Sequence, residues 1–254
     1  MNTGQEWKRI ARMSDDAMYW LTEPIATLRD LCSILNIAEQ NMAVHGFPTI
    51  ALMFRGQATS SPLAPRSLSE RVDIDDLGQA LREMIAVCKE ALGGSYSDSR
   101  VYFIMRHAGI ASHLIDWSCN WKVALWFALH NADGSLTERS SSLWALRHLA
   151  SDIRSTFFPI DQHVCERSEK QEGWAYSIRF ANVGDGVRVL PMECDELYRG
   201  RLLRIPIDKE AHKRLETELL ADCPEVGNVM SVPSPLPDDI IEKCNAIFAR
   251  KLCS

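Results

Sequence analysis

Phe54-Arg55-Gly56-Gln57 and the run from His107 to Ala128, HAGIASHLIDWSCNWKVALWFA, decide how this sequence folds. The first run closes an apolar stretch that begins at Ile50, which predicts a buried strand with a cation and a glycine at its carboxyl end. The second predicts a short strand at Leu114-Ile115 that leads through Asp116-Trp117-Ser118 into an apolar helix. Because polar groups at the ends of buried strands collect in ligand-binding clefts, we expect both runs to border one cleft.

The remaining pattern predicts a single α+β domain with a mixed central β-sheet. Strands are expected at residues 49–54, 113–117, 142–147, 173–179, 187–190 and 202–206. Helices are expected at residues 15–45, 74–92, 120–130, 209–220 and 238–252, while residues 101–105 fit either a helix or a short strand. Strands and helices alternate too irregularly for a doubly wound sheet. We therefore expect a helical N-terminal extension over residues 1–45 and the main domain over residues 46–254.

Composition narrows the class of protein without identifying its chemistry. The chain has 254 residues, of which 46% are apolar and 24% charged, as in ordinary globular proteins. A net charge of -6 gives no general attraction to nucleic acid or to an anionic membrane. No apolar stretch reaches membrane-spanning length and the first residues lack a secretory core, so we expect a cytoplasmic protein without membrane contact. The eight scattered cysteines predict reduced thiols and no zinc site.

Arg55 and Asp116 each fit a structural and a functional interpretation. Arg55 can pair with a carboxylate at a strand end while Gly56 makes a turn, or it can bind the phosphate or carboxylate of a ligand that approaches the backbone at Gly56. Asp116 must be hydrogen-bonded if it is buried, because an unpaired buried charge is costly. It can cap the helix from Asn120, or pair with Arg55 or Arg106.

The neighbouring residues leave similar alternatives. Trp117 fits either the core or a platform for a flat ring, and Ser118 fits a helix cap that can also contact an anion. His107 and His113 have no carboxylate at helical ligand spacing, so no metal site is predicted. Cys119 lacks a nucleophile signature, and there is no Walker loop or Gly-x-Gly-x-x-Gly run, so standard nucleotide-binding folds are excluded.

Taken together, these runs resemble the FRG domain, a family named for its Phe-Arg-Gly motif. The matching residues, in order, are Phe54-Arg55-Gly56-Gln57, Leu63, Pro65, His107, Gly109, Leu114, Asp116-Trp117-Ser118, Asn120, Ala124-Leu125-Trp126-Phe127-Ala128, Gln171 and Gly173-Trp174. The resemblance covers roughly residues 46–225. One segment departs from it, because Ala111-Ser112-His113 stands where the family usually has Pro-Thr-Arg, and His113 would supply less charge than an arginine.

A weaker resemblance of layout connects the chain to the ADP-ribosyltransferase superfamily. That superfamily uses an Arg-Gly or His-Gly that contacts NAD, a Ser-containing strand before a helix, and a Glu or Gln on a later strand. Arg55, Ser118 and Gln171 or Glu172 would fill these catalytic positions in order. The resemblance further implies that Arg55, Gly56, Gln57, His107, Asp116 and Trp117 bind NAD, the substrate.

The implied function is an NAD-binding ADP-ribosyltransferase-like effector that modifies a protein or nucleic acid. Use as a bacterial toxin or in antiviral (anti-phage) defence, with an antitoxin or regulatory partner, follows from how such domains are commonly used. Two alternatives stay open at this point. One is a non-catalytic module that senses a nucleotide or binds a protein, and the other is an NAD hydrolase.

Overall fold

The computed structural model of this chain describes residues 10–12, 19–41, 49–65, 68, 72–149, 152, 157–159, 173–183, 186–228 and 234–252. The strands in these ranges are β1 Ile10–Arg12, β2 Tyr19–Leu21, β3 Thr49–Gln57, β4 Leu114–Ser118, β5 Ser141–Leu149, β6 Phe157–Pro159, β7 Gly173–Ser177, β8 Arg179–Val183, β9 Gly186–Leu190 and β10 Leu202–Ile207. The α-helices are α1 Leu28–Asn41, α2 Ile74–Leu92, α3 Asp98–His107, α4 Trp121–Leu129, α5 His212–Asp222 and α6 Asp238–Leu252. None of these helices is both long and apolar enough to cross a membrane.

Eight of the described strands form one sheet in the order β1-β2-β10-β5-β3-β4-β7-β6, and β8 and β9 form a separate hairpin. Neighbouring strands run antiparallel, except that β2 lies parallel to β10. The predicted α+β class is confirmed. The strands and helices expected from residue 49 onward form, except that the strand expected over residues 173–179 is divided between β7 in the sheet and β8 in the hairpin. Strand β3 extends to Gln57 and β4 ends at Ser118, so Arg55 and Ser118 lie within strands.

The prediction of one helix over residues 15–45, and of a purely helical N-terminal extension, is wrong. Tyr19–Leu21 is a strand that pairs with β10, and Ile10–Arg12 adds a further strand beside it. The helix starts only at Leu28, because the Thr27 hydroxyl accepts the Asp30 N–H at 3.0 Å and so caps the first turn. Backbone pairing with the sheet thus overrides the local helical pattern before Thr27.

Helices α2 and α3 start and end where their sequences provide caps. Asp73 accepts the N–H groups of Asp75 and Asp76 at the start of α2, and Gly93 ends the helix in the left-handed conformation with φ 63°. Ser97 accepts the Arg100 N–H at the start of α3. Residues 101–105 lie inside α3, which settles the choice between helix and strand and places His107 at the last position of that helix.

Three large clusters of buried side chains hold the described part of the fold together, besides the small contact of Leu114 with Ala175. One lies between one face of the sheet and helices α1, α4 and α5. A second covers the opposite face, where it includes Met53, Trp117 and Trp144. The third joins α2, α3 and α6 beside the sheet. The two runs singled out from the sequence therefore meet at the junction of all three clusters.

The sheet opens at one place. β3 pairs with β5 from Thr49 to Gln57, but its pairing with β4 consists of Phe54 with Ser118. Beyond that pair the two strands diverge, with residues 55–57 on one side and residues 114–117 on the other. This divergence creates space inside the sheet, next to α4 and the end of α3.

Candidate functional site

A cavity of about 510 Å³ occupies the space where β3 and β4 separate, and we call it the β3–β4 cavity. Its lining comes from β3 and the loop after it, the end of α3 with the loop that follows, β4, and α4 with the turn beyond it. All the predicted site residues that the structure describes contribute to it: Arg55, Gly56, Gln57, His107, Asp116, Trp117 and Ser118. The expected convergence of the two runs on one cleft therefore agrees with the geometry.

Arg55 spans the gap between the diverging strands β3 and β4. Its Nη1 donates to the main-chain carbonyl of Asp116 at 2.7 Å, across a gap that the strands do not close with ladder hydrogen bonds of their own. A guanidinium has five N–H donors, so this bond uses one of them. Arg55 is thus a cation at the cavity wall, and the Asp116 carbonyl fixes one of its N–H groups.

Asp116 pairs instead with Arg106 on α3. The Arg106 Nε and Nη2 donate to the two carboxylate oxygens, and Nη1 donates to the Ser112 hydroxyl at 2.7 Å. Burial alone would raise the pKa of Asp116, but the Arg106 guanidinium, with help from His107 and Arg55, lowers it below its usual value. The carboxylate stays 39% exposed through the cavity. Asp116 is therefore an ionised group whose orientation is fixed, as the pairing interpretation predicted.

Gly56 is required by helix α4. A Cβ on this residue would lie 1.8 Å from the Ala124 carbonyl oxygen and 2.4 Å from the Ala128 main-chain nitrogen. These distances are far below contact, so the strand and the helix approach each other over the missing side chain. The expectation that Gly56 admits a ligand needs this correction: the close neighbour is the protein's own backbone.

Gln57 uses both ends of its side chain for internal bonds. Its Oε1 accepts the indole N–H of Trp144 at 2.7 Å, and its Nε2 donates to the Pro62 carbonyl at 3.3 Å. The residue is 6% exposed. Gln57 thus ties β3 to β5 and to the loop after β3, which favours a structural role over the ligand contact that we expected.

Trp117 belongs to the core behind the cavity. It is 2% exposed and packs with its ring centroid 6.4 Å from that of Phe157 in an edge-on arrangement. Side chains alternate between the faces of a strand, so Ile115 and Trp117 enter the cluster that Met53 also joins, while Asp116 faces the other way. The ring therefore has no open face to offer as a platform, and the core alternative fits.

Ser118 and His107 line the cavity from the end of β4 and the end of α3. The Ser118 hydroxyl accepts the N–H of Asn120 at 2.9 Å, while Asn120 itself caps α4 by accepting the Lys122 N–H at 3.0 Å. Ser118 thus precedes the cap and is not the cap. His107 is 9% exposed at the end of α3, and its charge when protonated would add to the positive groups around Asp116.

The segment that departs from the FRG pattern divides between the cavity and its surroundings. Ala111 and Ser112 line the cavity, whereas His113 is absent from the lining among the described residues. Its Nδ1 lies 2.9 Å from the Tyr102 hydroxyl, and burial together with the charge of Arg106 lowers the pKa of His113 to about 4. His113 is therefore neutral at pH 7 and gives the cavity no charge.

Gln171 and Glu172 lie outside the described residues. The next residue, Gly173, begins β7 and pairs with Ser118. Predictions for these two side chains stay predictions. Their sequence neighbour lies beside the end of β4 that borders the cavity.

Arg106, Ser112 and Phe127 are among the lining residues that were not singled out as site residues from the sequence. Arg106 appeared only as one partner for Asp116, and neither Ser112 nor Phe127 was assigned a role. Arg106 immediately precedes His107 and lies in the last turn of α3, so its place in the sequence could have identified it as a lining residue. Phe127 had no such indication, because its place in an apolar helix reads as core.

The described residues contain no group of three or more His, Cys, Asp or Glu side chains that could hold a metal ion. The cavity chemistry that they supply is therefore cationic and hydrogen-bonding on one side, at Arg55 and Arg106, and apolar on the other, at Phe54, Val123 and Phe127.

Comparison with known families agrees with the motifs. The family model of the FRG domain matches residues 50–135. No curated protein and no solved structure matches the chain. The described residues that line the β3–β4 cavity, from Phe54 to Ala132, fall inside the matched range. Residues 50–135 of this chain are therefore similar to the FRG domain, and the described lining of the cavity belongs to that part of the chain.

Proposed function

We propose that this protein binds NAD in the β3–β4 cavity and transfers ADP-ribose to a macromolecule. The observation that carries the proposal is the convergence of Arg55 on β3 and Ser118 on β4 at one cavity, with Gly173 paired beside Ser118. This arrangement resembles the three-strand layout of ADP-ribosyltransferases, in which the third strand carries the Gln or Glu that assists transfer. Gln171 and Glu172 directly precede Gly173 in the sequence.

The size and polarity of the cavity suit a dinucleotide. Sites for small molecules and cofactors typically enclose about 300–1,000 Å³ and combine apolar walls with a few fixed polar groups. The cavity has about 510 Å³, and its polar groups include Arg55 and the Arg106–Asp116 pair. A guanidinium binds phosphate oxygens well because its N–H groups lie in one plane.

In the proposed reaction, the bond between C1′ of the ribose and the nicotinamide nitrogen breaks, and a nucleophile of the acceptor bonds to C1′. The acceptor loses a proton and nicotinamide leaves as the neutral base. Arg55 would hold the diphosphate, Ser118 would orient the ribose, and Gln171, or alternatively Glu172, would stabilise the positive charge that develops on the ribose. Phe127 and Phe54 take the place of Trp117 as the apolar wall for the nicotinamide ring, since the Trp117 ring is buried.

The wider setting of this activity is also part of the proposal. An enzyme of this kind would work in the cytoplasm as a bacterial toxin or an anti-phage effector, with a protein or nucleic acid as acceptor. It would need an antitoxin or another regulatory partner to restrain it.

Calorimetry with NAD and transfer of label from labelled NAD test the proposal. Arg55→Met should weaken NAD binding by about 10- to 100-fold, because a hydrogen bond to a charged group contributes about 1.5–3 kcal/mol. Arg82→Met is the matched control, since Arg82 is exposed on α2 and far from the lining. Gln171→Ala should slow transfer by about 10²–10³ and Glu172→Ala should have little effect.

The alternatives give different results in the same assays. Release of nicotinamide without labelling of any protein or nucleic acid would identify an NAD hydrolase. Binding without turnover would leave a sensing module. If the wild-type protein neither binds NAD nor transfers label with candidate acceptors present, the enzymatic proposal fails and a module for another nucleotide or a protein replaces it.

A further inference from the structure

The loop between α3 and β4 forms one wall of the β3–β4 cavity with Gly109, Ile110, Ala111 and Ser112. The helix end fixes its start, because Gly109 adopts φ 81° and donates to the Arg106 carbonyl at 3.0 Å. Its far end is fixed by the Ser112 hydroxyl, which accepts the Leu114 N–H at 3.3 Å. Between these points, the Ala111 N–H donates to Asn245 Oδ1 at 3.0 Å.

Asn245 belongs to α6, near the other end of the sequence. The helix packs on α2 through buried side chains that flank Asn245, among them Cys244, Ile247 and Phe248. At the surface, Arg250 pairs with Glu83 at 2.9 Å, and Lys251 donates to Gln79 at 3.0 Å. These contacts fix the backbone of α6 against α2, so the position of the Asn245 oxygen is determined by the packing of the helices.

A short path of hydrogen bonds leads from Asn245 to the charged group in the cavity. Ala111 is covalently joined to Ser112, whose hydroxyl accepts from Arg106 Nη1 at 2.7 Å. The same guanidinium holds both oxygens of Asp116. A shift of Ala111 would therefore move the hydroxyl that orients Arg106, and with it the Asp116 carboxylate.

We infer that Asn245 is a positioning residue for the β3–β4 cavity. Its side chain accepts a hydrogen bond from the loop that forms one wall of the cavity. It thereby sets the orientation of Arg106 and Asp116 through Ala111 and Ser112. Asn245 lies 110 positions beyond residue 135, where the match to the FRG domain ends, so the family motif does not include it. The effect on ligand affinity rests on the proposed function, whereas the hydrogen-bond path does not.

Asn245→Leu removes the acceptor at similar size, and Asn245→Asp keeps an oxygen there. Lys243→Leu is the control on an exposed position of the same helix. Hydrogen exchange at the Ala111 amide is measured by NMR, together with the resonance of the Arg106 Nε–H. We expect Asn245→Leu to speed exchange at Ala111 by about 2- to 10-fold, the range for loss of one net hydrogen bond, and to shift the Arg106 resonance. Asn245→Asp and Lys243→Leu should leave both near wild type.

NAD affinity is measured in the same proteins by calorimetry. A 2- to 10-fold loss for Asn245→Leu with recovery in Asn245→Asp would support the inference, as these factors follow from about 0.5–1.5 kcal/mol. Unchanged exchange at Ala111 would overturn it, as would faster exchange spread along the whole of α6, which indicates loss of helix packing instead. If wild-type protein does not bind NAD but the exchange and Arg106 results hold, the proposed function fails while the positioning role of Asn245 stands.

Discussion

The two edges of β3 differ in how far they pair with the neighbouring strands. Along one edge, eight residues pair with β5 and the side chains on either face enter the core, Phe54 with Ala145 and Met53 with Leu146. Along the other edge, one residue pairs with β4 and a cavity fills the remaining space. A buried backbone group needs a hydrogen-bond partner, and Arg55 supplies one for the Asp116 carbonyl where the ladder stops. An unclosed strand pair therefore forms a cavity here, where a side chain replaces a missing ladder bond.

The largest expected effect concerns the helix that covers this edge. Gly56→Ala should destabilise the protein by about 3 kcal/mol or more, since overpacking against fixed backbone atoms cannot be relieved by side-chain rotation. Urea denaturation measures the change in the free energy of unfolding. The control is Gly78→Ala in α2, where the nearest atom would lie 3.5 Å from the new Cβ. Alanine there should stabilise by about 0.5–1 kcal/mol through helix propensity. A well-folded Gly56→Ala protein of normal stability would show that β3 and α4 are not in close contact.

A second substitution tests the edge of β3 that pairs with β5. Gln57→Leu removes the acceptor of the Trp144 indole N–H and leaves that donor buried, which should cost about 1–3 kcal/mol. NAD affinity should change less than in Arg55→Met, because Gln57 ties strands together. Chemical denaturation and calorimetry on the same sample separate the two effects. Loss of ligand binding at normal stability would return Gln57 to the list of ligand contacts.

The edge of β3 that faces β4 and the cavity is tested through the pH dependence of protein stability. Because Arg106 lowers the pKa of Asp116 in the folded protein, the stability from this carboxylate is present above its unfolded pKa of about 3.9 and is lost as pH falls through the folded value. The contribution should be about 1 kcal/mol after allowance for the exposure of the carboxylate. Asp116→Asn should therefore flatten the acid side of the stability profile.

Glu138→Gln provides the control for that profile, because its side chain is exposed between α4 and β5. Its curve should follow that of the wild type. Identical acid profiles for Asp116→Asn and the wild type would mean that the Arg106–Asp116 pair does not form in solution.

The smallest effect is expected at the loop beside the cavity mouth. Glu193 accepts the Leu63 N–H with both oxygens, at 3.1 and 3.0 Å, next to the lining residues Ala64 and Pro65. Burial raises the pKa of Glu193 in the folded state, so the protein loses stability as pH rises through that value. Glu193→Gln keeps an acceptor without a charge and should be more stable at pH 7 by less than about 1 kcal/mol, with no advantage at pH 4. Melting temperatures at the two pH values give the answer, and a Glu193→Gln protein that is less stable at pH 7 would contradict it.

The local sequence was sufficient to predict a helix or strand where capping and periodicity act within that element. Asp73 and Gly93 bound α2 at the expected residues, and the convergence of Arg55 with Ser118 followed from their places at strand ends. It was insufficient where long-range pairing decides. Tyr19–Leu21 carries a helical pattern in its surroundings but forms a strand because β10 provides a partner.

At the candidate site, too, only part of the geometry could be predicted from the sequence. The sequence indicated that Asp116 needs a partner, and Arg106 was among those weighed. It could not indicate that Gly56 faces α4, because that requires the crossing of a strand and a helix that are separated by more than sixty residues. Nor could it place the Trp117 ring, since a two-residue period gives the alternation of faces but not which face is core.

The described residues that line the cavity all lie between residues 54 and 132, which has a consequence for how such sites can be exchanged between proteins. One genetic crossover on each side of this segment would transplant the described lining into a new chain, without Gln171 and Glu172. The recipient would still need an equivalent of Asn245 behind the wall and of Glu193 beneath the loop, because neither residue travels with the segment. Recombination can therefore spread the lining as a unit, while each host must evolve the supports that hold it in shape.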